Sequence, residues 1–463
     1  MSMLASLFGR FRRFIFPQAV AQREFGAPSA VSGTMEQNIG LWYSMYVNSP
    51  PWQTDDVRAL GLPSAICREV SRPTLAEFKA NISGSQRADY LSERFDVAAE
   101  GFARAVEFGL ALGGVAFKPY IYGDSLLVDV TGASGFSPSK FDPSGRCIAG
   151  VFKSKPVKVG EKYFIRFECH DFDGGACTIR NKAFQSNADG DAGAEVPLTT
   201  VPEWAELPPE VRIENVTAPL FAYFRPPTYN SVDAGSDCGM SIYGDLATVS
   251  LIKQADEQWE KLRWEFLSAD RKVIMDGTSS TADMFNNRLY EVGAFTPEGD
   301  LFQFIEPKIR DDAIYRGFQD ILRRIEFNVG LAYGDISDPQ AVEKTATEVR
   351  NSKQRKYVLI SAIQKALGHT FDALVYAMDV YATLYGLAPA GEYEVTYDWG
   401  DSILDDQESK EKDFARDMQL LSAAILNDWE VRAKWKGEDE ATAKANLPKA
   451  QDMADNTEEI DVE

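Results

Sequence analysis

The chain has 463 residues, 44% of them hydrophobic, a folded composition long enough for two to four domains and a large core. It carries 70 acidic residues against 48 basic ones, a formal net charge of −22, which excludes a protein that coats nucleic acid by neutralising phosphate. No apolar run approaches the ~20 residues that cross a bilayer, and the absence of any Gly-Lys dipeptide excludes a P-loop nucleotide site.

The first stretch, MSMLASLFGRFRRFIF, is amphipathic and basic through Arg10, Arg12 and Arg13. It is short for a membrane anchor and reads as a terminal arm, residues 1–34, with residues 26–37, rich in Gly, Ser and Ala, as a linker. From Met35 to about Leu112 the pattern is mainly helical, with Pro50-Pro51 and Pro63 as breaks. Phe95, Ala98, Phe102, Val106 and Leu110 form a stripe at steps of three and four. The period then changes. Val115 to Val130 carries aromatic and β-branched residues on both sides of Gly123-Asp124, a hairpin signal. VFKSKPVKV, YFIRFECHDF and ACTIRNKAF come next as a second meander, so the middle of the chain is β-rich. Asn187 to Pro219 is acidic and contains proline, reading as loop until the strand-like APLFAYF.

A long helix is predicted from Ser241, where Ile242, Leu246, Val249, Ile252, Ala255, Trp259, Leu262 and Phe266 mark one stripe through 241–271. Residues 272–310 lose that period and break into short β-like pieces, KVIM, RLYEVGAF and LFQFIEP. A second helix, 311–330, opens at Asp311 or Asp312, either able to cap it, and carries Ile314, Phe318, Ile321, Ile325 and Val329; Gly330 ends it. Residues 331–344 are turn-rich, and from Thr345 to Tyr385 no proline interrupts a helix that would be roughly 60 Å long. Its first half carries Arg350, Lys353, Arg355, Lys356 and Lys365 and reads as wet, whereas Ile360, Ile363, Leu367, Phe371, Leu374, Met378 and Tyr381 in its second half read as core. YEVTYDWGDSI is one more strand. Residues 401–437 contain a helix from Lys410 to Trp435, and 438–463 form an acidic, solvated tail with nine acids against two lysines. The fold class these elements predict is α+β.

Few constellations carry chemistry. With two histidines, His170 and His369, and no GxSxG elbow, a Ser-His-Asp triad has scant candidates. Cys169-His170 with Cys177 lacks the regular spacing of a closed zinc site, and the five scattered cysteines read as reduced thiols. DGDAGAE at Asp189 reads as an exposed acidic turn, not an EF-hand. No catalytic residue, metal site or cofactor is expected. Trp259 and Trp264 are candidate subunit-interface anchors, with a single-subunit core as the plainer reading. Arg350, Lys353, Arg355 and Lys356 are candidates for pairing with acids of a neighbouring subunit or for contact with DNA, a solvated helix face being the plainer reading.

The run KTATEVRNSKQRKYVLISAIQKAL, Lys344 to Leu367, resembles bacteriophage portal proteins, in particular the branch in which a KTATE motif opens the long helix. Leu41 to Trp52, Leu62 to Thr74, Gly239 to Phe266 and Leu426 to Pro448 resemble the same family in the same order, while no motif is recognisable in Ala133 to Ala218. The resemblance implies a wing at 35–240, stem helices at 241–271 and 311–330 flanking a clip at 272–310, a channel loop at 331–344, and a long helix with returning wing strand at 345–400. A crown-side helix would come after them at 401–437. It implies a virion subunit, not an enzyme, in a homo-oligomeric ring of twelve at one capsid vertex. The ring would pass double-stranded DNA and meet the terminase large subunit, capsid or scaffold protein and head-completion proteins, without a membrane. Tyr333, Gly334, Asp335, Ser337, Asp338 and Lys344 would line the channel, with Gly330 and Gly334 as hinges of a movable flap. The alternatives are another head-to-tail connector, or a nucleic-acid-processing enzyme. Net negative charge suits a channel wall along which phosphates spaced about every 1.7 Å must slide.

Overall fold

A computed structural model describes residues 18–187, 192–268, 272–276, 289–292, 302–305, 309–339, 346–400, 407–423 and 425–447. The chain divides into two compact units, one ending at Trp399 and one starting at Gly400. Helices and strands alternate in blocks, and the fold is mixed α+β.

In the first unit, α1 (Gln18–Phe25) is followed by α2 (Gly33–Tyr46), whose N-cap Ser32 accepts a hydrogen bond from the Met35 amide. The expected linker at 26–37 therefore gives way at Gly33 to a capped helix that buries Met35, Ile39 and Trp42. Pro63 opens α3 (Leu62–Leu75), where its missing N–H costs nothing. The sequence pattern missed strand β1 (Lys79–Ser83), because only Ile82 of its five residues is buried and no alternation shows. The Phe95 to Leu110 stripe is carried by two helices, α4 (Gln86–Ala99) and α5 (Phe102–Leu112), with the break at Glu100-Gly101.

Strands β2 (Val115–Tyr122) and β3 (Ser125–Gly132) form the expected hairpin, Tyr122 facing Ser125 across a Gly123 at φ +59°. A seven-stranded sheet is made by β4 (Phe136–Phe141), β5 (Cys147–Lys153), β6 (Val157–Val159), β7 (Lys162–Asp173), β8 (Ala176–Ser186), β9 (Ala192–Val196) and β10 (Glu210–Glu214). Its order is β10-β8-β7-β5-β4, with β6 on β7 and β9 on β8, all antiparallel. Two strands thus lie in the stretch expected to be loop; β9 and β10 are short, exposed edge strands whose pairing on β8 comes from tertiary contact. Strand β11 (Ala222–Phe224) adds to β2.

Helix α6 starts at Leu246, not Ser241, and runs to Ser268. Strands β12 (Lys272–Asp276), β13 (Leu289–Val292) and β14 (Phe302–Ile305) make a small sheet in the order β13-β12-β14 before α7 (Asp311–Val329). Arg310, not an aspartate, is the N-cap of α7; Asp311 and Asp312 occupy its first turn, where their charge favours the helix dipole. Helix α8 (Ala346–Leu384) has 39 residues, and β15 (Glu394–Asp398) returns antiparallel to β1.

The main core lies where the second half of α8 meets α3, α4, α5 and the β2–β3 sheet. Phe371 is its centre. Its ring stacks on Phe102 at 4.6 Å and meets Phe78 at 5.2 Å and Phe95 at 5.5 Å. The seven residues of α8 expected in the core are all buried. Arg87, 2% exposed, closes the far end by donating to the carbonyls of Asp379, Ala388 and Pro389.

The second unit contains α9 (Gln407–Ser422), α10 (Asp428–Lys436) and α11 (Glu440–Ala445). The single helix expected from Lys410 to Trp435 is broken by a capping box in which the Asn427 and Glu430 side chains and backbones bond reciprocally. Asp417 holds the pieces together, accepting from Lys434 and from Trp435 Nε1 at 3.0 Å. The acidic tail likewise begins with structure, since Asp439 caps α11; residues after 447 lie outside the described set.

Candidate functional site

Helices α6 and α7 form an antiparallel hairpin. Thr248 Oγ1 accepts from Asn328 at one end, the Ile314 carbonyl from Gln258 midway, and Glu265 pairs with Arg310 at 3.1–3.2 Å at the other. Of the α6 stripe, Ile252, Ala255 and Leu262 are buried against α7, whereas Leu246 is 68% exposed and Phe266 54%. The stripe is wider than α7 can cover. The two interface candidates separate accordingly. Trp259 packs on Phe318 at 5.3 Å within the hairpin, while Trp264, 61% exposed, joins Phe266 and Leu267 on an uncovered apolar end.

The turn after α7 is built on Glu326, a residue hidden in the polar half of the sequence pattern and 0% exposed. Gly330, at φ +91°, terminates the helix, its amide donating to the Glu326 carbonyl at 3.0 Å. The chain then folds back so that the amides of Gly334, Ile336 and Ser337 donate to Glu326 Oε1 at 3.0, 2.8 and 2.9 Å, and the Ser337 hydroxyl donates to Oε2 at 2.9 Å. The Asp338 amide reaches Gln319 Oε1 at 2.7 Å, and the Tyr315 hydroxyl reaches Asp338. Asp335 accepts from the Ala332 amide and pairs with Lys356 of α8, which also pairs with Glu69 of α3.

Of the expected channel residues, Tyr333, Gly334, Asp335, Ser337 and Asp338 are therefore gathered in one bonded turn, and Lys344 lies outside the described residues. The expectation of a flap hinged at Gly330 and Gly334 differs from this arrangement. Both glycines have left-handed φ, and both amides are committed to Glu326, so the positive φ serves a turn held fixed over residues 331–338. A buried carboxylate receiving three amides and a hydroxyl gives charge-assisted bonds, stronger than neutral ones.

The basic cluster divides as well. Lys353 is exposed, Lys356 is tied to Asp335 and Glu69, and Arg350 lies in the second turn of α8. Arg355 sits between two rings, its guanidinium carbon 5.0 Å from the centre of Phe327 and 4.6 Å from that of Tyr333.

A second polar cluster lies inside the β-rich region. Glu168 of β7 accepts from Lys118 of β2 at 2.8 Å, Arg166 at 3.0 Å and His170 Nε2 at 2.6 Å. Burial by itself would raise the Glu168 carboxyl, but the two cations and the His170 bond hold it well below the usual carboxylate range. Burial pushes His170 below its ordinary value against the pull of Glu168, so the imidazole is neutral at pH 7. This cluster joins β2 to β7 and shows no open face where a substrate would bind; Lys118, Glu168 and His170 are all under 9% exposed.

Cys169 and His170 are neighbours on β7 and point to opposite faces, and Cys177 stands opposite Phe172, so the three do not converge. All five cysteines are buried thiols; burial raises each, Cys177 to about 11. Among the described residues no group of three metal-ligating side chains occurs, and no helix is long and apolar enough to cross a membrane. No family model matches the sequence, and no curated protein matches it.

Proposed function

We propose that this chain is a portal-type subunit that assembles side by side into a ring around a channel for double-stranded DNA, twelve copies being the number that the family resemblance implies. The reading rests on the α6–α7 hairpin. Its helices of 23 and 19 residues flank a small β insertion, leave Trp264, Phe266 and Leu267 uncovered, and lead through a fixed turn into a 39-residue helix. Large apolar side chains grouped on a surface mark sites of association, and a hairpin whose stripe is half covered within its own chain gains by pairing with a neighbour.

In this reading the 272–310 insertion meets the terminase large subunit during packaging and head-completion proteins afterwards, and the 331–344 segment faces the channel. The protein does no covalent chemistry; it holds an aperture whose net negative charge keeps DNA from sticking. Negative-stain images and light scattering of purified protein test this directly. Rings with a central hole, of a mass near twelve chains, are the expected result. A compact monomer at high concentration would refute it.

A further inference from the structure

We infer that the groove beside Arg355 receives a carboxylate side chain from a second copy of this chain. The inference deepens the ring reading and depends on it for the choice of partner. The groove, of about 800 Å³, opens between the C-terminal end of α7, the first half of α8 and Pro227. Its walls are apolar, with Val329, Val358 and Leu359 among them, and Arg355 supplies its charge.

Phe327 and Tyr333 lie against the Arg355 guanidinium, which leaves its N–H edge as the direction in which it can bind. Its Nε is shielded from water and has no hydrogen-bond partner, and Arg355 forms no ion pair among the described residues. One residue on, Lys356 finds two carboxylates within its own chain, at 3.1 and 3.5 Å. A guanidinium fixed in place with an unpaired donor costs free energy until an acceptor arrives.

The fork of donors fits a carboxylate or a phosphate. Charge decides between them. Each copy carries 70 acidic residues and a net charge of −22, so a second copy brings carboxylates to a fixed cation in an otherwise acidic molecule. Nucleic acid approaching the same groove would meet that net negative field. A groove on one copy filled by a different surface of the next is a head-to-tail contact, the kind that closes into a ring.

The test compares wild type with Arg355→Met, which keeps the side-chain bulk and removes the charge, Arg355→Glu and Arg355→Lys. Native mass spectrometry and light scattering measure assembly over a range of concentrations, with circular dichroism as a check on folding. The expected result is that Arg355→Met raises the concentration for half-assembly at least tenfold, Arg355→Glu raises it further and Arg355→Lys raises it less. Wild-type assembly should also weaken steeply with added NaCl, a readout that stands even if a variant melts early. Assembly of Arg355→Met and Arg355→Glu equal to wild type, or no response to salt, overturns the inference and leaves the ring reading intact. Arg355-dependent association that stops at open dimers supports the inference and overturns the ring reading. Intact rings whose Arg355→Met form alone loses retention of duplex DNA would assign the groove to phosphate and overturn the inference.

Discussion

Replacing Glu326 by alanine isolates what holds the turn after α7. The change removes the acceptor of the Gly334, Ile336 and Ser337 amides and of the Ser337 hydroxyl. Each buried donor left unpaired costs about 1–3 kcal/mol, and three amides would reach roughly 9 if all stayed dry. Gly334 and Ile336 are only half-buried, so water replaces part of the loss. The net cost is then about 3–5 kcal/mol, the range for removing one partner of a buried charged contact. Because the chain has two compact units, a single global unfolding energy is ill-defined, and amide hydrogen exchange is the better assay. At about 1.4 kcal/mol per tenfold, protection of the amides at 334, 336 and 337 should fall by roughly 100-fold or more, with α6 and the centre of α7 little changed. Glu326→Gln keeps an acceptor for the amides and can donate to Ser337, so it should lose less. Protection within about twofold of wild type in Glu326→Ala would refute the fixed turn and restore the hinged flap.

Truncating Phe371 to alanine empties the centre of the main core and should destabilise the first unit by about 3–5 kcal/mol, read as an early thermal transition. Near-neutral behaviour would place the core elsewhere. His170 is neutral in the folded protein and its proton affinity is depressed, so the unfolded chain binds more protons as pH falls below about 6.5, and stability drops there; His170→Gln should flatten that slope. An unchanged slope in the variant would show that other groups set it. Cys177, raised to about 11 from an ordinary 9.0, should alkylate with iodoacetamide at pH 8 about a hundredfold more slowly than an exposed thiol. Equal rates in folded protein would contradict its burial.

How much could be read in advance depended on whether a residue's role was local. The two periodicities were legible: alternation around Gly123-Asp124 became the β2–β3 hairpin, and the apolar steps from Ile360 to Tyr381 became the buried face of α8. Edge strands were not, because β1, β9 and β10 have no buried face of their own to impose a pattern. Broken helices were misread as continuous where the apolar spacing ran through the break, as between Ala99 and Phe102. Glu326 escaped notice altogether, since an acid in a charged helix carries no signal until the chain folds back upon it.

The sequence alone determined the element types, the hairpin with its β insertion, the long helix and the apolar identity of its second half, because propensity and periodicity act over a few residues. Only the tertiary structure decided that Trp259 packs inward while Trp264 stays outside, that Lys356 is satisfied while Arg355 is not, and that a turn rich in glycine is held by one carboxylate. These depend on which surfaces meet. A side chain's spacing along the chain says which face it shares, and only the arrival of another element says what that face will touch.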